Sequence, residues 1–560
     1  MNNQKRSLII FLLLWLIINL LQAGFTELAN DEAYYWMYSN FLDWGYFDHP
    51  PMIALLIKAG YLLFNNELGV RLLPVFLGVG TIFIIFQLTE SKKDNNRLLI
   101  ILLISVTIVH THIGGFFAIP DLPVIFFSTL FFYFYKHYLK EDKVQIAILL
   151  GITGAAMLYS KYHGVLVFVF TLLSSLSLLK RKSFWLIPTV VALGMLPHLL
   201  WQIKNGFPTF QYHLVGRADW YSFKDTMDFV LGQLIIANPL IVIFLFYHAF
   251  RRRAQDGFER ALKFNMIGFM VFFFISSFRG HVEPHWTAIA YVPAIVLAYN
   301  NISPLSKTAK WLNIFVYPSI VIFIVLRLVL MINLLPTSIP YVKEFHNWDK
   351  AALEIRELAG KYKVVFINSF QKPSKYSFYS KEYSHSLNSV YYRRNQYDLW
   401  PMKDSLMGAD VLIMTSTKPD SILHAANGDT YKFKRYHDFR FYYEFDIDPA
   451  NYNLHGEPGD TIYTKISFTN TKSDSIQILT SLPEKEAHIV MAYRPYGEEW
   501  LKQRSLLNVY GEVFGPGEKR DFNIKITAPD QKGEYWLYFG IENDLIPPRC
   551  QLNPVILQVQ

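Results

Sequence analysis

The residues best able to do chemistry are carboxylates gathered near the start of the chain. Asn30-Asp31-Glu32-Ala33-Tyr34-Tyr35-Trp36 sets two adjacent acids against three aromatic rings, and Gly45-Tyr46-Phe47-Asp48-His49-Pro50-Pro51 adds another acid beside a histidine. Positioned carboxylates can move protons, and planar rings can stack on sugar faces. The same residue types also build an aromatic belt with solvated acids at a membrane boundary. On residue type alone the two readings stand level. Further along, charged or polar groups recur at the edges of apolar runs: Asp121 after Pro120, Lys161 before Tyr162-His163-Gly164, Arg279, and His285 in Glu283-Pro284-His285-Trp286. Ionisable groups in or beside an apolar bundle are costly, which makes them functional candidates by default.

Composition says what must hold them. Of 560 residues 52% are hydrophobic and only 18% charged, against roughly 25% charged in an average soluble domain. That excludes a disordered chain and a wholly soluble one. Up to about residue 335 the sequence runs in apolar stretches near the roughly 20 residues that cross a bilayer as helix. About eleven spans are expected, near 7–24, 67–89, 98–113, 122–139, 144–159, 163–179, 184–201, 229–249, 261–278, 286–301 and 312–334. Leu8–Leu21 behind Lys5-Arg6 reads as an uncleaved first helix rather than a signal peptide. Threaded from a cytoplasmic N-terminus, clusters such as Lys180-Arg181-Lys182 and Arg251-Arg252-Arg253 fall on the cytoplasmic side and the acids named above on the other. The net charge of +8 is thereby explained by topology, with no nucleic-acid motif beside it. Cys550 is the single cysteine, which excludes an intramolecular disulfide and any Cys-based zinc site.

One segment departs from span-turn-span. Pro51–Phe64 is too short to cross and carries Lys58, which suits a helix lying at the interface. Beyond the spans, a helical stretch at Trp348–Tyr362 and apolar strands at Val364–Asn368 and Val411–Thr415 suggest a small α/β unit. From about 431, alternation such as Ile462, Thr464, Ile466, Phe468 and glycine-bearing turns indicate an immunoglobulin-like β-sandwich. The expected domains are 1–338 in the membrane, 339–430 α/β and 431–560 β-sandwich.

The motifs resemble a family. Asp31-Glu32-Ala33-Tyr34-Tyr35-Trp36 followed by Phe47-Asp48-His49-Pro50-Pro51-Met52 is similar to the first-loop signature of polytopic glycosyltransferases that use lipid-phosphate sugars. These include the protein O-mannosyltransferases and the bacterial aminoarabinose transferases of lipid A, with a GT-C fold. Ile119-Pro120-Asp121-Leu122-Pro123, Tyr159–Gly164 and Glu283–Trp286 followed by Pro293 resemble later motifs of the same family, over roughly residues 5–300. The resemblance implies a donor sugar on a polyprenyl phosphate. It implies Asp31 as general base, where the alternative is a helix N-cap, with Glu32 orienting it and Asp121 facing the same cavity. Lys161, Arg279 and His285 become candidates for the donor phosphate; a snorkelling lysine is the other reading of Lys161. His49 departs from the Glu-Lys or Asp-Glu of many relatives. Asp48 and His49, completed by His285, could instead hold a divalent metal ion, the only cofactor expected.

The reading is a multi-span α-helical membrane glycosyltransferase of the bacterial inner membrane, with its C-terminal region in the periplasm. Its partners would be a polyprenyl-phosphate sugar, a protein, lipid A or glycan acceptor, and membrane lipids, with no nucleic acid. A transporter or flippase is the alternative class, which internal repeats and broken spans would favour.

Overall fold

A computed structural model describes residues 3–560 other than 90–113, 212–221, 302–306, 337–338, 416–418, 483–485, 499, 501, 544–547 and 552. The expected span at 98–113 lies outside the described residues. The chain divides into two compact units, Met1–His346 and Asn347–Gln560.

The first unit is helical, because a chain in lipid must satisfy its backbone polar groups within each segment. Its helices are α1 Asn3–Phe25, α2 Asn30–Asn40, α3 Met52–Tyr61, α4 Glu67–Leu88, α5 Asp121–Lys140, α6 Val144–Ser160, α7 Val165–Ser174 and α8 Leu186–Lys204, then α9 Phe223–Ile236, α10 Val242–Arg251, α11 Gly257–Ser276, α12 Ala288–Asn301, α13 Lys307–Met331 and α14 Pro340–Glu344. Among the described residues four helical stretches are long and apolar enough to cross a membrane: Lys5–Phe25, Glu67–Leu88, Lys182–Lys204 and Ile314–Met331. Their outward leucines and isoleucines are exposed, as on α8 at Leu193, Leu196, Leu199 and Leu200. α12 is instead buried on every side from Ala288 to Tyr299, the pattern of a helix at a bundle's centre.

Two local features shape the site's surroundings. The short helix expected after Pro51 forms as α3 and crosses α4 at Gly60, where a Cβ would stand 2.2 Å from the Gly69 carbonyl oxygen. The span expected at 229–249 is two helices, α9 and α10. Asn238 breaks it at φ 70°, in the left-handed region, and Pro239 lacks the N–H that a continuous helix would use. The Asn238 side chain then donates to Ser319 Oγ of α13 at 2.8 Å.

The second unit holds two sheet systems. β1 Lys363–Ile367, β2 His385–Leu387, β3 Val411–Met414, β4 Ser421–His424 and β5 Thr430–Tyr436 form one sheet in the order β2-β1-β3-β5-β4. β1 is parallel to β2 and β3, and β5 is antiparallel to β3 and β4. Helices α15 Trp348–Ala359 and α16 Gln371–Ser380 cover it through Trp348, Ala352, Ile355 and Tyr376 on Val364, Phe366 and Phe433. The strands from Phe445 to Val559 make a sandwich. Its larger sheet holds His488–Pro495, Gly533–Glu542 and Val555–Val559; its smaller one pairs Thr461–Asn470 with Lys519–Thr527 and Phe445–Pro449. Ile466, Phe468, Ile524 and Ile526 meet Met491, Leu537 and Phe539 in the shared core, as their alternation predicts.

Candidate active site

Asp31 and Glu32 are neighbours with opposite surroundings. α2 starts at Asn30 with Ala29 as its cap residue, so Asp31 is not the N-cap; it lies in the first turn with its side chain exposed. The capping belongs to Glu32, whose Oε2 accepts the Ala29 N–H at 2.9 Å. Glu32 is fully buried and also takes Arg71 Nε at 2.8 Å and Arg71 Nη2 at 2.5 Å. The Ala118 N–H reaches it at 2.7 Å. Arg71 spends its remaining donors on the carbonyls of Ala23, Thr26 and Glu27. Glu32 is therefore a strut that ties α2 to α4 and to the segment before Asp121. Four donors fill the oxygens of Glu32, which leaves it to orient its neighbour Asp31 rather than to take a proton itself.

Asp48 is buried too, and two tyrosines of α2 meet it: Tyr34 donates to Oδ2 at 2.8 Å and Tyr38 at 3.3 Å. Burial, with Tyr34 and Asp48 adding, pushes the Tyr38 phenol well up, so it stays a neutral donor. The ring of Tyr46 stacks on that of Tyr38 with centroids 4.0 Å apart, and His49 meets Tyr35 edge-on at 5.5 Å. Tyr34, Tyr35, Trp36, Tyr38 and Tyr46 are all buried. These aromatics fill the interior of the loop rather than offering sugar a platform.

A second cluster forms from three distant motifs. Lys161 Nζ donates to both oxygens of Asp121, at 2.7 and 2.9 Å, with side chains only 8% and 5% exposed. His285 Nε2 lies 3.8 Å from Asp121 Oδ2 and is 36% exposed, which makes it the open edge of the group. Lys161, Asp121, His285 and His49 all lie within electrostatic range of His163, and Asp48 within range of Tyr162. The first loop and the three later motifs thus converge. An ammonium has three N–H donors, and two of those on Lys161 face Asp121.

Positions outside the motifs hold this geometry. Trp201 Nε1 donates to Asp43 at 2.8 Å, His198 Nδ1 meets the Trp44 carbonyl at 2.7 Å and Thr209 Oγ1 donates to the Tyr46 carbonyl at 3.2 Å. Gln233 of α9 donates to the Pro284 carbonyl and accepts from Thr287 and Tyr291, which clamps the turn bearing His285. Sequence reasoning missed these groups. Arg71 alone carried a usable signal, as a lone arginine inside an apolar span.

The described residues do not bring two further expected groups together. Arg279 is exposed at the end of α11, and among the described residues no contact joins it to the Asp121–Lys161 pair. The metal set Asp48, His49 and His285 is not assembled: among the described residues no three His, Cys, Asp or Glu side chains form a metal-holding group. Asp48 is turned to tyrosine hydroxyls and His285 to Asp121. These donors do not fit a resident cation.

Residues 48–201 match the family described as dolichyl-phosphate-mannose-protein mannosyltransferase. The crystal structure of ArnT from Cupriavidus metallidurans in the apo state superposes with TM-score 0.58 at 14% identity, over 77% of this chain and 98% of that one. The chain has the GT-C fold. The same GT-C protein bound to undecaprenyl phosphate gives TM-score 0.57 at 14% identity, over 76% and 97% of the two chains. Lipid A galacturonosyltransferase RgtD of Rhizobium johnstonii is 22% identical over 297 residues, 51% of this chain and 62% of that protein. The match thus spans less than two thirds of that relative. An uncharacterized protein of Aquifex aeolicus is 25% identical over 369 residues, 55% of this chain and 71% of its own length. With its apolar helices, the GT-C chain is a membrane protein.

Proposed function

We propose that this protein transfers a sugar from a polyprenyl-phosphate donor to an acceptor hydroxyl, with Asp31 as general base. The observation that carries the proposal is the division of labour among the acids. Glu32, Asp48 and Asp121 are buried, whereas Asp31 is exposed on the same short helix as Glu32. A base must be open to the hydroxyl it deprotonates. As Asp31 takes that proton, the acceptor oxygen bonds to the anomeric carbon and the bond from that carbon to phosphate breaks. The polyprenyl phosphate leaves with the electron pair. Lys161 and His285 stand where they can offset its charge, and such aimed groups are worth most at charge that develops during reaction. The likeness to the undecaprenyl-phosphate-bound ArnT supports a polyprenyl carrier, and the likeness to RgtD supports lipid A as one acceptor class beside protein and glycan. The site faces the extracytoplasmic side in this reading, and the C-terminal region is periplasmic.

The test uses purified full-length protein in liposomes with a panel of radiolabelled polyprenyl-phosphate sugars and reads release of the polyprenyl phosphate. Asp31→Asn is expected to slow release about 100-fold or more, the usual range for loss of a general base. Turnover of that variant at the parent rate would remove Asp31 from the role.

A further inference from the structure

The first turn of α2 has a partner from the far end of the membrane unit. A helix leaves its first four N–H groups without partners inside the helix. One of these, on Asn30, donates to Glu344 Oε1 at 2.8 Å across 314 residues of chain. The preceding N–H, on Ala29, goes to Glu32, and the next residue is Asp31. Glu344 ends α14, and the segment around it is anchored. Val342 is buried, the Phe345 ring packs on Phe117 at 5.7 Å, and His346 Nε2 meets the Val329 carbonyl at 2.8 Å. Phe117 in turn precedes Ala118, whose N–H bonds to Glu32. Three separate stretches of chain therefore close a ring around the turn that carries Asp31.

We propose that Glu344 is a positioning residue: by accepting the Asn30 N–H it fixes the first turn of α2 and so aims Asp31 at the acceptor hydroxyl. The inference rests on the reading of Asp31 as the base. Its physical content is that an uncapped first turn frays, and a misplacement of about 1 Å at a reacting group can cost about 100-fold in rate. The bond needs an acceptor oxygen and no charge, so a glutamine can replace the glutamate.

Glu344→Ala is expected to lower kcat about 10- to 100-fold with donor KM changed less than about twofold, the split expected when alignment rather than binding is lost. Glu344→Gln, whose side-chain carbonyl still accepts, should return kcat to within about threefold of the parent. Amide hydrogen exchange over residues 28–36 gives a readout that does not depend on the chemistry. It should quicken about tenfold in Glu344→Ala and stay at the parent rate in Glu344→Gln. If Glu344→Ala turns over at the parent rate while Asp31→Asn is inactive, the positioning role is wrong and the base survives. If Glu344→Gln is as slow as Glu344→Ala, the hydrogen bond is not what matters and the role is again wrong. An active Asp31→Asn would instead sink the base, and unchanged exchange in Glu344→Ala would then sink the ordering role as well.

Discussion

Replacing Glu32 by glutamine separates a strut from a catalytic acid. A catalytic carboxylate replaced by its amide leaves a folded protein with slow chemistry. The surroundings of Glu32 forbid that outcome, because all four of its partners are donors: Arg71 Nε, Arg71 Nη2 and the N–H groups of Ala29 and Ala118. A glutamine carbonyl can accept from one side of this cradle, but its NH2 then faces donors on the other. The guanidinium also loses its counter-charge at a position where both side chains are 0% exposed. Removing one partner of a buried pair costs roughly 3–5 kcal/mol, and each orphaned donor adds about 1–3 kcal/mol. Taking only about 3 kcal/mol, an unfolding entropy of about 2.1 cal/mol/K per residue over the unit Met1–His346 gives a fall in thermal midpoint of roughly 4 °C.

The measurement is the midpoint of detergent-purified protein, followed by the monodisperse peak that survives heating, with turnover normalised to that peak. The expected result is a lowered midpoint, with kcat of the surviving fraction falling no further than in Glu344→Ala, since both changes loosen the turn that carries Asp31 and leave the base itself in place. Adding Arg71→Met removes the stranded cation, so the double variant should lose less than the two single losses combined. A midpoint within about 2 °C of the parent, together with a hundredfold fall in normalised kcat, would refute the strut.

Gly45→Ala places a Cβ 2.4 Å from Trp201 Cε3, so it should cost about 1–3 kcal/mol by overpacking; the thermal midpoint checks it, and adding Trp201→Leu should recover part of the loss. Gln233→Leu removes three hydrogen bonds from the His285 turn and is expected to slow polyprenyl-phosphate release about tenfold, with exchange over residues 282–288 rising in step. His385 in the second unit is pushed down to about 3 by burial, with Lys403 and Arg549 adding. Its folded value lies below the unfolded imidazole near 6.5, so stability is full above about pH 6.5 and falls by up to about 1.4 kcal/mol per unit as pH drops toward 3. Exchange over the strand that holds residue 385 should speed up about fivefold between pH 6.5 and 5.5 after correction for the intrinsic rate, and His385→Leu should flatten that dependence.

How much could be read before folding depends on the range of the interaction concerned. Strand alternation at Ile462–Phe468 and Phe522–Ile526 is a local property, and the sandwich formed there. The lone carboxylate after Pro120 and the lysine before Tyr162-His163 were visible as residues out of place in apolar sequence. Their pairing with each other and with His285 needed the bundle. Arg71 meets Glu32 across 39 residues and Glu344 meets Asn30 across 314, and no periodicity encodes such pairs. The aromatics of the first loop left two readings level for a different reason. A tyrosine that lines a sugar subsite and one that packs beneath a loop have the same composition signal, and only burial tells them apart. The break at Asn238 and Pro239 was legible as a dipeptide but was overridden by the unbroken hydropathy around it.

The adjacent pair Asp31 and Glu32 shows why the distinction matters for chemistry in an apolar setting. An ionised carboxylate withdrawn from water has to be compensated where it sits, and a carboxylate so compensated is a poor acceptor for an incoming proton. Glu32 meets the first demand with four donors, Asp121 with Lys161, and Asp48 with the hydroxyls of Tyr34 and Tyr38. These acids hold α2, α4, α5 and the Lys161 turn together with directional bonds, which apolar packing alone would not aim. Only a side chain at the water-facing edge can both stay ionised and receive a proton, and on α2 that side chain is Asp31. Swapping the two side chains, by combining Asp31→Glu with Glu32→Asp, should therefore abolish both functions at once. The shortened acid cannot reach Arg71 and Ala118 together, and the lengthened one displaces the proton acceptor by about one methylene, near the 1 Å that a reacting geometry does not tolerate.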